Sequence, residues 1–180
     1  MKNKEKKTNI LAYRSEKDRS YGLAGMSIAL ASLDAIDRVV RVSMDEEGPM
    51  VLFSNEFFWG SSQASSPKAH WHALLQNYRI TTSLTVANVL SRCLVWEKHT
   101  DPTEMLDALY PAVEQEGTDQ CSLEGDEVRQ LFAATVRQMQ RIFANPRVHP
   151  VVDQLSAILT ARRTLSGRDL AEELHYLHLI

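Results

Sequence analysis

The sequence predicts a mainly α-helical fold: a multi-helical bundle of five to seven helices with a single β-hairpin near residues 38–58. Apolar residues recur at helical spacing in separate segments over most of the chain, whereas only one segment alternates with the period of two that is typical of a strand. Hydrophobic residues make up 44% of the chain and charged residues 24%, which is the balance of a folded globular protein rather than a disordered one.

The beginning of the chain is polar and basic. We expect a mobile basic N-terminal tail over residues 1–20, followed by a single helical domain over residues 21–180 into which the hairpin is inserted. The apolar run from Ile10 to Tyr13 is too short for an export signal, and the longest uncharged stretch, Ser20 to Leu33, is too short to span a membrane. The sequence therefore predicts a cytoplasmic protein without a membrane segment.

The first structured elements differ in period. Small and apolar residues recur at helical spacing from Leu23 to Leu33, which predicts a short helix. Apolar and polar residues then alternate from Val40 to Met44, residues 45–49 have the composition of a turn, and residues 50–53 resume an apolar run that favours a strand. These two runs form the predicted hairpin.

Helix start and stop signals divide the next part of the chain. Ser66 followed by Pro67 predicts a helix start, and Trp71 belongs to the apolar stripe that we expect to anchor this helix in the core. The stripes over residues 67–98 allow one helix or two, and we favour a break near residues 81–83. Another helix starts at residues 101–104 and is expected to end or kink at Pro111 and to close at Gly117.

Three more helices are predicted in the last third of the chain. The strongest pattern runs from Leu123 to Ala144 and is stopped by the following Asn-Pro pair. A second runs from Val151 to Leu159, and residues 166–169 cap a last helix.

Aromatic residues cluster at the end of the hairpin and are the predicted interface: Phe53, Phe57, Phe58 and Trp59. Four large rings in seven residues cannot all point inward on a strand, because alternate residues face opposite sides. A lone hairpin also leaves outer edges with unpaired backbone groups. Pairing with a symmetry-related copy would satisfy both, so we expect a homodimer. The alternative is that the helix over residues 67–78 covers the hairpin within one chain.

Arginine residues form a second candidate surface. Residues 129–168 hold seven arginines against one acidic residue. A nucleic-acid contact would combine the basic tail with Arg137, Arg141, Arg162 and Arg163. We favour instead that these arginines form solvated helix faces or pair with residues 97–127, which hold ten acidic residues and one lysine. Nucleic acid is therefore a partner that the sequence allows but does not favour.

A metal site would need the motif formed by Glu172, His175 and His178. On a helix these side chains fan over about 120°, and motifs this short match by accident often, so one surface histidine and one half-buried histidine are the favoured interpretation. Cys93 and Cys121 have neither CxxC spacing nor a neighbouring histidine pattern, which favours two reduced thiols. No cofactor is predicted.

Three function classes follow. We favour a non-enzymatic intracellular protein that acts by self-association or by docking an unidentified protein partner. The alternatives are a nucleic-acid-associated regulator and a small metal-dependent enzyme centred on the C-terminal Glu/His cluster. No serine or glycine motif specific to a reaction is found, so no catalytic residue is predicted.

Overall fold

The chain has a mainly helical fold with a small antiparallel sheet. A computed structural model describes residues 9–45, 47–55, 57 and 66–177. Within these residues it contains six α-helices and one three-stranded sheet, which confirms the predicted class of a helical bundle with a hairpin. In the same part of the chain, no helix combines the length and the hydropathy needed to cross a membrane.

The described residues form six α-helices and three strands. In chain order they are α1 (Glu16–Ser32), β1 (Val39–Ser43), β2 (Val51–Phe53), α2 (Pro67–Leu90), α3 (Thr103–Cys121), α4 (Gly125–Phe143), α5 (His149–Arg162), β3 (Thr164–Ser166) and α6 (Gly167–Tyr176). A 3₁₀ turn, Ile36–Arg38, leads into β1, and Ser91–Trp96 continues α2 as a π-helix.

Helix α1 lies at the centre of the bundle, with buried residues on every side, and packs against both α2 and α5. It begins at Glu16 and not at Leu23, because Ser15 caps it by accepting a hydrogen bond from the Asp18 amide at 3.0 Å. Residues 16–20, which we grouped with the basic tail, are therefore part of the first helix. The apolar spacing missed them because this start is marked by polar residues.

Helices α1 and α2 touch backbone to backbone. A Cβ atom at Gly22 would lie 2.6 Å from the Asn88 side chain, and one at Gly25 would lie 2.6 Å from the Ala87 carbonyl oxygen. The Ser91 hydroxyl donates a hydrogen bond of 2.7 Å to the Tyr21 carbonyl across the same crossing. Glycine is needed at these positions because any side chain would push the two helices apart.

Helix α2 is continuous, so the break expected near residues 81–83 is wrong. The Thr81 hydroxyl donates to the Tyr78 carbonyl at 3.1 Å, and the Ser83 hydroxyl donates to the Arg79 carbonyl at 2.8 Å. The hydroxyl groups that suggested a break thus bond back within the helix and are compatible with it. The second half of α2 is buried on all sides, and this burial holds it in helical form.

Helix α3 continues through both residues expected to end it. Pro111 lies on the exposed face, and the helix runs on to Cys121, where Ser122 ends it in the left-handed conformation with a φ of 54°. Gly117 is a packing contact and not a helix stop, since a Cβ atom there would lie 2.6 Å from the Tyr78 hydroxyl. The predicted helices over residues 123–144 and 151–159 are confirmed as α4 and α5.

The sheet has the strand order β2-β1-β3, so the hairpin has a third strand that the sequence did not predict. Val42 of β1 pairs with Val51 on one side and with Leu165 on the other. Strand β3 has only three residues between two helices, which is too short to show alternation. One edge of β1 that a lone hairpin would expose is therefore covered within the chain.

The crossing of α1 and α2 gives a first prediction. Gly25→Ala should lower the free energy of unfolding by about 1–3 kcal/mol, because the new methyl group meets backbone that cannot move aside. The matched control is Gly125→Ala in the first turn of α4, where the nearest atom is a flexible Glu114 carboxylate oxygen at 3.3 Å. The control should be neutral or stabilising by up to about 1 kcal/mol. Urea unfolding measures the free energy of unfolding of both variants. Equal losses of stability would contradict the close contact of the two helices at Gly25.

Candidate functional site

The strongest buried electrostatic feature is an ion pair between α1 and the π-helix. The side chains of Arg92 and Asp18 are each 3% exposed, and two guanidinium nitrogens donate to the two carboxylate oxygens at 2.6 and 2.8 Å. The remaining guanidinium donors bond to the carbonyl oxygens of Leu11 and Ala12 at 3.0 Å. The guanidinium carbon lies 4.7 Å from the centroid of the Tyr13 ring. The arginine thus fixes the segment that precedes α1.

The carboxylate of this pair is ionised. Burial is the largest single influence and opposes the charge, but the hydrogen bonds from Arg92 and from the Arg14 amide outweigh it and hold the pKa of Asp18 below its usual value. The Arg14 amide lies 2.9 Å from the second carboxylate oxygen. Because each charge is paired and enclosed, this site holds the fold together and does not offer a reactive group.

A groove between α2 and α4 is the candidate binding site. It has a volume of about 630 Å³. Its larger apolar lining residues are Leu33, Trp71, Leu75, Ile80, Leu123 and Leu131, and Ala134 is a small one. Its longer polar lining residues are Gln76, Arg79, Glu127, Gln130 and Gln138. The lining positions cover three turns of each helix, a length of about 16–18 Å.

Trp71 lies at one end of this groove. Its indole N–H donates a hydrogen bond of 3.0 Å to the Cys121 carbonyl at the end of α3, while the residue is 40% exposed. The expectation that Trp71 anchors the core is therefore only half met. The polar edge of the ring is fixed to the neighbouring helix, and much of its apolar surface is left at the groove.

A second cavity lies between α1 and α5, with a volume of about 750 Å³. Inside it the Tyr21 hydroxyl donates a hydrogen bond of 2.6 Å to an Asp153 carboxylate oxygen. Burial and this carboxylate raise the pKa of Tyr21 to about 12, so the hydroxyl keeps its proton at neutral pH. The hydroxyls of Ser20 and Ser156 also pair with each other, at 2.7 Å. These polar groups are hydrogen-bonded to one another within the chain. The groove between α2 and α4 is therefore the better candidate.

The aromatic residues predicted as an interface divide into two groups. Phe53 and Phe57 are 6% and 4% exposed, and their rings stack with centroids 4.0 Å apart. The side-chain amide of Asn77 on α2 donates to the Phe57 carbonyl, which joins α2 to this end of the hairpin within the chain. These two rings are core residues with little surface for a partner. Phe58 and Trp59 lie outside the described residues.

The four arginines predicted for nucleic acid also behave differently from one another. Arg162 lies 3.5 Å from an Asp169 oxygen and 3.1 Å from a Glu173 oxygen. Arg163 pairs with Glu16 and with Asp45. These acidic partners lie outside residues 97–127, the segment with which pairing was one of the two alternatives. The other two arginines, Arg137 and Arg141, are exposed on α4 and make no ion pair with a described residue.

Of the predicted metal motif, the structure describes Glu172 and His175. A Glu172 carboxylate oxygen accepts a hydrogen bond of 2.9 Å from Arg168, and His175 is exposed on α6. His178 lies outside the part of the chain that the structure describes. Within that part, no group of three or more His, Cys, Asp or Glu residues is placed to hold a metal ion.

Sequence reasoning missed the groove, because it depends on which helices pack side by side. Periodicity shows which face of a helix is apolar but not which neighbour that face meets. The available signal was the interruption of the α2 stripe by Gln76 and Arg79, which places polar residues beside apolar ones on a single face.

The chain was also compared with known proteins. No family model matches it, and neither the curated proteins nor the solved structures contain a significant match.

The buried ion pair gives a second prediction. Arg92→Met should cost about 3–5 kcal/mol of stability, because it leaves the Asp18 carboxylate buried without its partner. Adding Asp18→Asn to this variant should recover part of the loss, since the second change removes the stranded charge. Urea unfolding of Arg92→Met, Asp18→Asn and the double variant tests this. A double variant as unstable as the sum of the two single variants would contradict it.

The lowered pKa of Asp18 gives a third prediction, with a defined sign. The stabilisation from a carboxylate with a depressed folded-state pKa is complete above the unfolded value of about 3.9 and is lost as pH falls through the folded value. The stability difference between the native chain and Asp18→Asn should therefore shrink below about pH 4. Urea unfolding from about pH 7 to about pH 2.5 measures it. A difference that stays constant over this range would contradict the assignment.

Proposed function

We propose that this protein is a non-enzymatic interaction module that docks a protein partner in the groove between α2 and α4. The observation that carries the proposal is the composition of the groove. An apolar floor with Leu75 and Leu131 is bordered by amide and guanidinium groups, and a half-exposed tryptophan lies at one end. Tryptophan and arginine are enriched among the residues that contribute most to protein–protein binding.

The size of the groove supports a helical or peptide ligand. Its length of about 16–18 Å equals three turns of an α-helix, and grooves between helices commonly hold the apolar face of a partner helix. The ring of Trp71 is already oriented by its hydrogen bond to Cys121. Because this ring is already held in place, little of its side-chain conformational entropy is lost when a partner binds against it, and this favours binding.

The polar groups around the groove suit recognition. Gln76, Gln130 and Gln138 each offer both a donor and an acceptor. Of the described lining residues, Arg79 and Glu127 carry charge, and they belong to different helices. Such a border can satisfy the polar flank of a bound segment while the apolar floor is covered.

The proposal includes a cytoplasmic location. Cys93 and Cys121 are both buried free thiols, as is usual for a protein kept in a reducing compartment.

The homodimer stays a separate prediction. Phe53 and Phe57 are buried within the chain and leave little surface for a second copy. Val40 of β1 is apolar and 48% exposed, so it is the residue of the sheet at which we test a dimer contact. Light scattering at micromolar concentration measures the mass, and Val40→Glu should lower it if a dimer uses this face. A monomer mass for the native chain would contradict the homodimer.

The fourth prediction tests the docking function. Ala134→Tyr places a ring in the groove and should weaken partner binding by about tenfold or more, because it removes space without changing charge. The matched control is Ala108→Tyr, the same change at an exposed position of α3. Native and variant chains are used as baits in a lysate, and the retained protein is then purified and titrated by calorimetry.

The outcome of this comparison is clear in either direction. A protein that binds the native chain and Ala108→Tyr equally, but binds Ala134→Tyr weakly, supports docking in the groove. Partners that bind all three chains alike would show that the groove is not the binding surface.

A further inference from the structure

We propose that the partner segment held in this groove is an acidic amphipathic helix of another protein. The inference deepens the proposed function and rests on it, since it names the kind of partner that the same groove accepts. It depends on the sign of the charge beside the groove, on the apolar floor, and on the spacing of Arg137 and Arg141 along α4.

Helix α2 carries no acidic residue, and α4 carries acidic residues only in its first turn, so arginine is the charged residue type beside the C-terminal half of the groove. Arg79 lines the groove from α2. On α4, Arg137 follows the lining residue Gln130 by seven positions, and Arg141 follows Ala134 by seven. Seven residues are nearly two full turns, so both arginines lie on almost the same face as the lining residues.

These three arginines are exposed and make no ion pair with a described residue. Arg162 and Arg163 provide the contrast, because both pair with acids of this chain. The groove is therefore bordered by charge that the fold does not use.

The acidic residue in the lining, Glu127, lies in the first turn of α4, at the opposite end of this helix from Arg137 and Arg141. Glu127 accepts a hydrogen bond of 2.8 Å from the Glu124 amide, as the third residue of the capping box of α4. Its carboxylate is therefore directed to the start of its own helix. A ligand carboxylate would meet Arg79, Arg137 and Arg141 on the borders of the groove, where electrostatic complementarity favours it.

The apolar floor distinguishes a helix from a nucleic acid. A phosphate backbone over Leu75 and Leu131 would leave this surface without an apolar partner, whereas an amphipathic helix covers it with its own apolar stripe. Arg137 and Arg141 are four residues apart, which is about 6 Å along the helix axis. Carboxylates at positions i and i+4 of a partner helix have the same spacing and can face both arginines together.

The experiment uses two synthetic helical peptides of about 15 residues with the same leucine stripe. One has glutamates flanking the stripe, and the other has lysines at the same positions. Each is titrated into the intact chain by calorimetry. We expect the glutamate peptide to bind about tenfold more tightly than the lysine peptide, and this preference to shrink as salt is raised.

Charge reversal provides the matched variants. The double variant Arg137→Glu with Arg141→Glu should lose the preference for the glutamate peptide or reverse it. The control, Lys98→Glu with Arg147→Glu, makes the same change in net charge at exposed positions off the groove and should keep the preference. All four positions are exposed, and circular dichroism verifies that both variants keep the helical fold.

Three results would overturn the inference. The first is that the two peptides bind equally or that neither binds. The second is that a duplex DNA oligonucleotide binds the native chain and displaces the glutamate peptide, and that this binding requires Arg137 and Arg141. The third is that the chain forms a dimer that Ala134→Tyr abolishes, which would make a second copy the occupant.

The failure of this inference can be told from the failure of the docking proposal. If a lysate partner is lost with Ala134→Tyr but binds the Arg137→Glu, Arg141→Glu variant normally, the groove is a docking site and the partner is not acidic. If Ala134→Tyr changes nothing, the docking proposal itself fails.

Discussion

The bundle depends on one buried charge pair, because Arg92 and Asp18 join three parts of the chain at a single point. The arginine comes from the π-helix that continues α2, the carboxylate comes from the first turn of α1, and two carbonyl oxygens come from the segment before α1. Each side chain is 3% exposed, and loss of either partner would leave the other charge buried without its counterion. Helix α1 also contacts α2 closely at Gly25 and packs against α5.

Much of the fold was predictable from local signals. The α4 and α5 stripes, the proline-led start of α2 and the cap at Ser166 each gave an element where the structure has one, because apolar spacing and capping are properties of short segments. The start of α1 and the continuity of α2 were not predictable, since Asp18 and Thr82 are polar residues that only the packed fold makes compatible with a buried helix. Strand β3 exists only because β1 lies beside it.

The candidate site was less accessible to sequence reasoning. The ring cluster was visible in the sequence, which left a dimer contact and cover by the helix over residues 67–78 both open, but its pattern could not show that Phe53 and Phe57 are buried within the chain. Arg137 and Arg141 were identified, whereas Arg79 was not, because it belongs to a helix distant in sequence that borders the same groove. Which arginines are paired with acids of the chain also depends on tertiary contacts, as Arg163 and Glu16 show.

The third strand has a consequence for the order in which the chain folds. Val42 pairs with Leu165, so the central strand receives its second neighbour from the far end of the polypeptide. Contacts this distant in sequence form slowly, and during synthesis they must wait until the last helices have emerged. For that interval the edge of β1 is open, and strand edges are where nascent chains associate wrongly. The nascent hairpin is therefore the segment for which a chaperone would matter most.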